Sequence, residues 1–181
     1  MDRKRALELI KKHVKNPNLQ KHMLATEAVM KALANHFGED EELWGLTGLL
    51  HDLDVEETQK TPEKHGYLTA EYLKKEDVPE EMIHAILAHS GKVSCKSRMD
   101  KALYAADPLT GFIVACALVA SGRKLSSIDV KFAMRRMKEK RFAMGASREQ
   151  MKSCTDLGLT LAEFTRIGIE AMQKIHIQLG L

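Results

Sequence analysis

Hydrophobic residues recur along this chain every third or fourth position, the spacing of one helix face, and no stretch alternates as a half-buried strand does. The pattern predicts a helix over about Asp2–Lys15, stopped by Asn16-Pro17, and a second over about Leu19–Phe37, stopped by Gly38. The second carries the apolar stripe Leu19, Met23, Val29, Met30, Leu33 and Phe37, with His22 on that same face. A third begins at the acidic run Glu39–Glu42, whose charges suit a helix N-terminus. Leu43, Trp44, Leu46, Leu49 and Leu50 make it apolar nearly all round, as a central buried helix is, and it ends at His51-Asp52. A polar loop, Asp54–Lys60, then leads to Thr61-Pro62, read as the N-cap and first residue of a fourth helix with His65 in its first turn.

Pro79 opens a fifth helix that closes at His89, and Ser97 caps a sixth. Pro108 is expected to end or kink that helix after Asp107, with the next running from Leu109 to Ala120. Beyond a turn at Ser121-Gly122, Ser126 or Ser127 caps a helix to about Lys140. Two more cover about Arg148–Asp156 and Thr160–Leu179. No linker, repeat or low-complexity segment divides these elements, so the expected architecture is a single all-α domain.

Composition changes this picture little. The 181 residues are 44% hydrophobic and 29% charged, ordinary for a globular chain long enough to bury a core. A net charge of +3 and an aromatic content of 5% argue against nucleic-acid binding. Cys95, Cys116 and Cys154 are odd in number and widely spaced, which fits a reducing cytoplasm better than a disulfide framework. The start Met1-Asp2-Arg3-Lys4-Arg5 has no apolar run, and Gly111–Ala120 is about half of the ~20 residues a membrane span needs. A soluble cytoplasmic protein with no membrane contact is expected.

The candidate chemistry centres on His51-Asp52. A carboxylate at the end of so apolar a segment must be paired, hydrogen-bonded or metal-bound. Adjacent side chains diverge by ~100° on a helix, so both can reach one cation only where the backbone leaves it. Further candidates are His22, His65, His89 and Asp107. His22 taken alone reads first as a hydrogen-bonded core residue. His84 and His89 lie about 140° apart around one helix, so only one faces inward, and His89 continues the side of Met82 and Ile86. Imidazoles with carboxylates suit divalent Mn, Fe, Co, Ni or Zn.

The order His22, His51-Asp52, Asp107 resembles the H…HD…D signature of the HD superfamily of metal-dependent phosphohydrolases. The segments LLHDLD, KHGYLTAEYL, ILAHS and YAADPLTG follow in the family's order, and the likeness covers about Leu19–Val119. It is nearest to small stand-alone HDIG-type proteins. The resemblance implies an all-helical fold with five helices around the site; the C-terminal helical extension over about 121–181 lies outside the family's pattern. It also implies one metal on His22, His51, Asp52 and Asp107, and a second on His65 and His89 with Asp52 bridging. The chain departs from the HD-GYP phosphodiesterases, since Asp54 and Val55 replace their Gly-Lys pair and no GYP follows His89. It also lacks the glutamate of the nucleoside 5′-monophosphatase branch, whose place Val55 takes.

The implied activity is hydrolysis of a phosphomonoester or phosphodiester of a nucleotide or related small molecule, by a hydroxide held at the metal site. Asp52 and His51 are then the central catalytic groups, with Asp54 as an acid or a supporting partner. Lys64, Lys92 and Arg148 are candidates for the substrate phosphate, each weighed against an ordinary surface charge. The basic run Lys131–Arg141 reads as an exposed helix face ahead of a phosphate or RNA contact. Two other classes share these ligands: a di-iron oxygenase on the same fold, and a non-catalytic signalling or binding module.

Overall fold

Two long helices, α2 (Pro17–Phe37) and α6 (Arg98–Val119), carry the other elements in the computed structural model, which describes residues 1–181. Ahead of them α1 (Arg3–His13) is capped by Asp2, whose carboxylate accepts the Arg5 N–H. α2 starts at Pro17 rather than Leu19, because the Asn16 side chain accepts from the Asn18 N–H and Pro17 enters with its φ already helical. Gly38, at φ 70°, ends it in a conformation that other residues adopt only with strain. Asp40 caps α3 (Glu41–Leu50) through the N–H groups of Glu42 and Leu43, and the short link folds α3 back along α2. Their backbones approach closely at Gly48, where a Cβ would lie 2.8 Å from the Thr26 carbonyl oxygen.

Several expected boundaries move. Thr61 makes no side-chain cap; Pro62–Lys64 form one 3-10 turn, and α4 (Tyr67–Lys74) starts only after Gly66. His65 therefore lies in a connection and not in a helical turn. After α5 (Glu80–His89), Ser97 and Asp100 form a reciprocal capping box at the start of α6. The two helices expected on either side of Pro108 are one. Pro108 offers no N–H to the Tyr104 carbonyl, yet Ala105, Ala106, Leu109, Phe112 and Ile113 are all buried, and their packing holds the helix through the proline. Joined in this way, α6 is the one helix long and apolar enough to cross a membrane. More than half of that stretch is buried within the bundle, as in a core helix.

In the C-terminal third, α7 (Val130–Met137) is capped by Asp129 rather than Ser126 or Ser127, and it stops short of Lys140. Ser147 caps α8 (Arg148–Lys152), which runs on as a 3-10 turn to Leu157. Thr160 and Glu163 form a second capping box on α9 (Leu161–Lys174), and a break at Ile175 separates α10 (His176–Leu179). The chain has ten α-helices and no strand. One hydrophobic cluster runs from Ala6 to Leu179, with α9 packed on α2 and α8 on α6. The last third thus shares the core that supports the first two.

Candidate metal centre

Four histidines and two aspartates from five parts of the chain meet between α2, α3, α5 and α6. His22 comes from the first turns of α2 and His51 immediately follows α3. Asp52 lies in the chain of turns after it, His65 precedes Gly66, His89 ends α5, and Asp107 stands in mid-α6. Asp52 divides its carboxylate between them. One oxygen, Oδ2, lies 3.5 Å from His51 Nε2 and 3.7 Å from His22 Nε2. The other, Oδ1, lies 3.4 Å from His89 Nε2 and 3.5 Å from His65 Nε2. Asp107 Oδ1 completes the first group, 3.0 Å from His22 Nε2 and 3.7 Å from His51 Nε2.

The other nitrogen of each imidazole settles its protonation. His51 Nδ1 is 2.8 Å from the Gly48 carbonyl, and His89 Nδ1 bonds the Ile86 carbonyl; a carbonyl only accepts, so both Nδ1 atoms carry hydrogen. His65 Nδ1 donates to Asp54 Oδ1 at 2.8 Å. His22 Nδ1 lies 2.9 Å from the Thr110 hydroxyl, which gives its own hydrogen to the Asp107 carbonyl at 2.9 Å and so accepts from His22. With every Nδ1 engaged, all four Nε2 atoms turn inward on two carboxylates. His22 Nε2 and His51 Nε2 are only 3.2 Å apart, and His89 Nε2 is buried without a hydrogen-bond partner.

This concentration of lone pairs and negative charge calls for a cation. Burial alone would lower the pKa of His51, but the charges of Asp52 and Asp107 outweigh it and raise the value to about 9. Burial would raise Asp52, yet the neighbouring imidazoles of His51, His89 and His22 hold it well below the usual carboxylate range. Asp107 is likewise depressed, with His22 and His51 overcoming its burial. The donor set fits a divalent transition ion: His22, His51 and Asp107 form one group with mutually close ligand atoms, and His51, Asp52 and His89 form another.

Asp54 is fully buried and its carboxylate is filled. Besides His65 it accepts the Gly66 N–H at 2.8 Å and the Thr69 N–H at 3.1 Å, and these bonds outweigh burial to hold its pKa low. A low, fully bonded carboxylate is no general acid; Asp54 orients His65. The hydrogen bond to Asp54 is in turn the main reason that the His65 pKa is raised. Gly66 makes the arrangement feasible, since its φ of 83° and its close approach to the Ser90 side chain exclude a Cβ.

The expected phosphate contacts fare unevenly. Arg148 is a correction: its guanidinium donates to the carbonyls of Phe142, Ala143 and Ala146 and lies over the Phe112 ring, so it ties its own loop together. Lys92 reaches the connection that carries His65, with Nζ 3.3 Å from the Pro62 carbonyl and 5.6 Å from the Tyr67 ring centroid. Lys64 is exposed on the 3-10 turn before His65. His84 faces away and pairs with Asp100 at 2.9 Å. Sequence reasoning missed Thr110, Thr69 and the carbonyl of Gly48. A hydroxyl three residues after Asp107 on one helix was the only available hint of the first.

The family model described as HD domain matches residues 19–111, a stretch that contains all six inward groups. Ribonuclease Y of Oleidesulfovibrio alaskensis is 31% identical over 94 residues, covering 52% of this chain and 18% of the relative. Ribonuclease Y of Desulfotalea psychrophila is 30% identical over 94 residues, with the same shares. The chain thus spans under a fifth of the length of these curated relatives. No solved structure matches it.

Proposed function

The chain belongs to the HD-domain family, and from that premise we propose that it is a metal-dependent phosphohydrolase acting on a phosphate ester of a nucleotide or related small molecule. The observation that carries this reading is the buried, unpartnered Nε2 of His89, which faces Asp52 among three other inward imidazoles. A buried nitrogen without a partner is costly unless something electropositive occupies the space before it. His22, His51, Asp52 and Asp107 would hold one divalent transition ion, and His65 and His89 a second, with Asp52 shared. The separation of the two Asp52 oxygens onto different histidine pairs supports the shared role. When bound, such an ion supplies Lewis acidity, which polarises a phosphoryl oxygen and brings the pKa of a water molecule toward neutrality.

The protein's own part is positional. Gly48, Ile86, Thr110 and Asp54 fix the four imidazoles with Nε2 inward, so no ring must turn when a ligand arrives. His51 and His89 close the floor against water, while His22, His65 and Asp107 are partly exposed and mark the open side where a substrate phosphate reaches the centre. The likeness to two proteins named as ribonucleases favours a diester over a monoester as the scissile group.

The test is metal analysis of anaerobically purified protein, followed by a panel of phosphomonoesters, nucleotides, dinucleotides and cyclic dinucleotides with added Mn²⁺, Fe²⁺, Co²⁺ or Ni²⁺. Metal-dependent release from at least one phosphate ester, lost in Asp52→Ala, is expected. Full activity and full metal content in Asp52→Ala would refute the assignment, and substrate-dependent O₂ uptake without phosphate-ester cleavage would replace it with an oxygenase.

A further inference from the structure

The chain has five Phe, three Tyr and one Trp, and eight of these nine rings are buried or half-buried. The exception is Tyr67, which is 49% exposed. It stands two residues from His65, the inward imidazole held by Asp54. Its place is fixed: the N–H of Gly66 is bound to Asp54, and Gly66 itself is pressed against Ser90, so the start of α4 is locked to the end of α5. On the α5 side, Lys92 reaches across to rest its ammonium 5.6 Å from the Tyr67 ring centroid and 3.3 Å from the Pro62 carbonyl. Val93, another of the few exposed large apolar side chains, comes next. An exposed aromatic ring with a cation over one of its faces, and an apolar residue next to that cation in the chain, therefore stand on the two segments that follow His65 and His89.

On the phosphohydrolase reading, a solvent-facing ring two residues from an inward imidazole has a natural complement, the flat face of a nucleobase attached to the phosphate. Lys92 has a single hydrogen bond, to a carbonyl, and its flexible stem lets the ammonium swing to an anion at small cost. We propose that Tyr67 and Lys92 form a nucleotide subsite at the mouth of the metal centre, with Tyr67 stacking on a nucleobase and Lys92 meeting phosphate charge. This rests on the phosphohydrolase reading and narrows its substrate class to nucleotides. A bare phosphate ester lacks the base that the ring would hold. The other exposed apolar residues, Leu118, Val119, Met144 and Ile177, lie on other elements and offer no aromatic face.

The test uses a phosphorothioate-linked adenosine dinucleotide, which resists hydrolysis, its base-free counterpart, and adenosine monophosphate, each titrated into the purified protein by calorimetry. Tyr67→Ala is expected to weaken the dinucleotide by ~10-fold, the effect of about one stacked base, with the base-free ligand unaffected and Tyr67→Phe restoring affinity. Lys92→Gln should weaken both phosphorothioates alike and flatten the dependence of binding on salt. Thermal melts confirm that each variant is folded. Unaltered dinucleotide affinity in Tyr67→Ala, equal weakening of the base-free ligand, or no dinucleotide binding by the wild type would each overturn the subsite. A tighter grip on the dinucleotide than on adenosine monophosphate assigns a strand rather than a free nucleotide. Hydrolysis of the ordinary diester separates the two readings. Cleavage with a KM unmoved by Tyr67→Ala removes the subsite and leaves the hydrolase, whereas Tyr67-dependent binding without cleavage does the reverse.

Discussion

Replacing Gly48 by alanine adds one methyl group at the closest approach of α2 and α3. That carbon would lie 2.8 Å from the carbonyl oxygen of Thr26, 3.0 Å from its carbonyl carbon and 2.9 Å from Met30 Cγ. The Met30 side chain can turn aside, but the Thr26 peptide cannot, so the two helices must separate by about 0.5 Å to restore ordinary contact. Alanine gains ~1 kcal/mol of helix propensity over glycine, while overpacking of this kind costs ~1–3 kcal/mol. The expected net loss is ~0–2 kcal/mol, or up to about 8 °C in Tm for a chain of this size. The same displacement reaches the centre, because the Gly48 carbonyl anchors His51 and the Thr26 hydroxyl is bound to the His22 carbonyl at 3.0 Å. Metal affinity should fall ~10-fold, in the range seen when supporting groups are disturbed. Two other glycines calibrate the result. At Gly111, in α6, no atom lies within 4 Å, so Gly111→Ala should stabilise by ~0.5–1 kcal/mol. At Gly45 the obstacle is the flexible Lys31 side chain, so Gly45→Ala should stay close to neutral. Thermal melts and metal titration calorimetry on the three variants read both quantities. A Gly48→Ala protein that melts at or above the wild type with unchanged metal affinity would sink the argument.

Asp54→Asn keeps the shape but turns an NH₂ group toward N–H donors that now meet an oxygen, at a fully buried position. It should cost ~1–3 kcal/mol and weaken binding of the second metal ion by about 10- to 100-fold; equal titration curves for variant and wild type would contradict it. The raised pKa of His51, about 9, means that metal binding near pH 7.5 must displace a proton, so the binding heat should vary with the ionisation heat of the buffer. The sign for stability follows: in metal-free protein the His51 contribution is complete below about pH 6.5 and fades as pH rises through about 9, so the metal-free Tm should decline over that window. Asp100 behaves oppositely. Burial would raise its pKa, but the Ser97 hydroxyl, the backbone N–H groups of Lys96 and Ser97, and His84 hold it down. Its contribution is present above about pH 4 and lost as pH falls through its lowered value, and Asp100→Asn should flatten the acid limb of the stability curve.

Which parts of this molecule could be read from the chain depends on the range of the interaction that fixes them. Helix identity is local, and the apolar periodicity of α1, α2, α3 and α9 survives into the structure with shifts of a few residues. Pro108 misleads because its local rule is outweighed by distant packing: a proline is expected to break α6, and buried apolar residues on either side hold it together. The cap of α7 misleads for a different reason. Ser126, Ser127 and Asp129 are all good caps, and only the 3-10 turn at Leu125–Ser127 assigns the role to Asp129. Arg148 misleads as a phosphate candidate because it follows Ser147 at a helix start, where an anion would be favoured. Its three carbonyl partners belong to a loop whose path no periodicity records.

The arrangement at the centre shows the same division between residue type and residue state. Six histidines and aspartates in one order can be seen in a sequence, but a ligand is defined by which nitrogen is bare, and that depends on its neighbours. Two of the four inward imidazoles are set by main-chain carbonyls three residues earlier on their own helices, Gly48 for His51 and Ile86 for His89. That pattern is available to any histidine closing a helix, and so it carries no signature. The other two are set from afar, His22 by Thr110 across 88 positions and His65 by Asp54 across 11. Asp54 illustrates the consequence. Two residues after Asp52 it has the same chemistry, but three donors engage it and turn it toward support, while Asp52 keeps both oxygens facing the inward Nε2 atoms. What distinguishes a metal ligand from its supporting partner here is the supply of hydrogen-bond donors, delivered by the turn at Gly66 and the first residues of α4. Removing that supply is therefore expected to loosen His65 before it disturbs the fold.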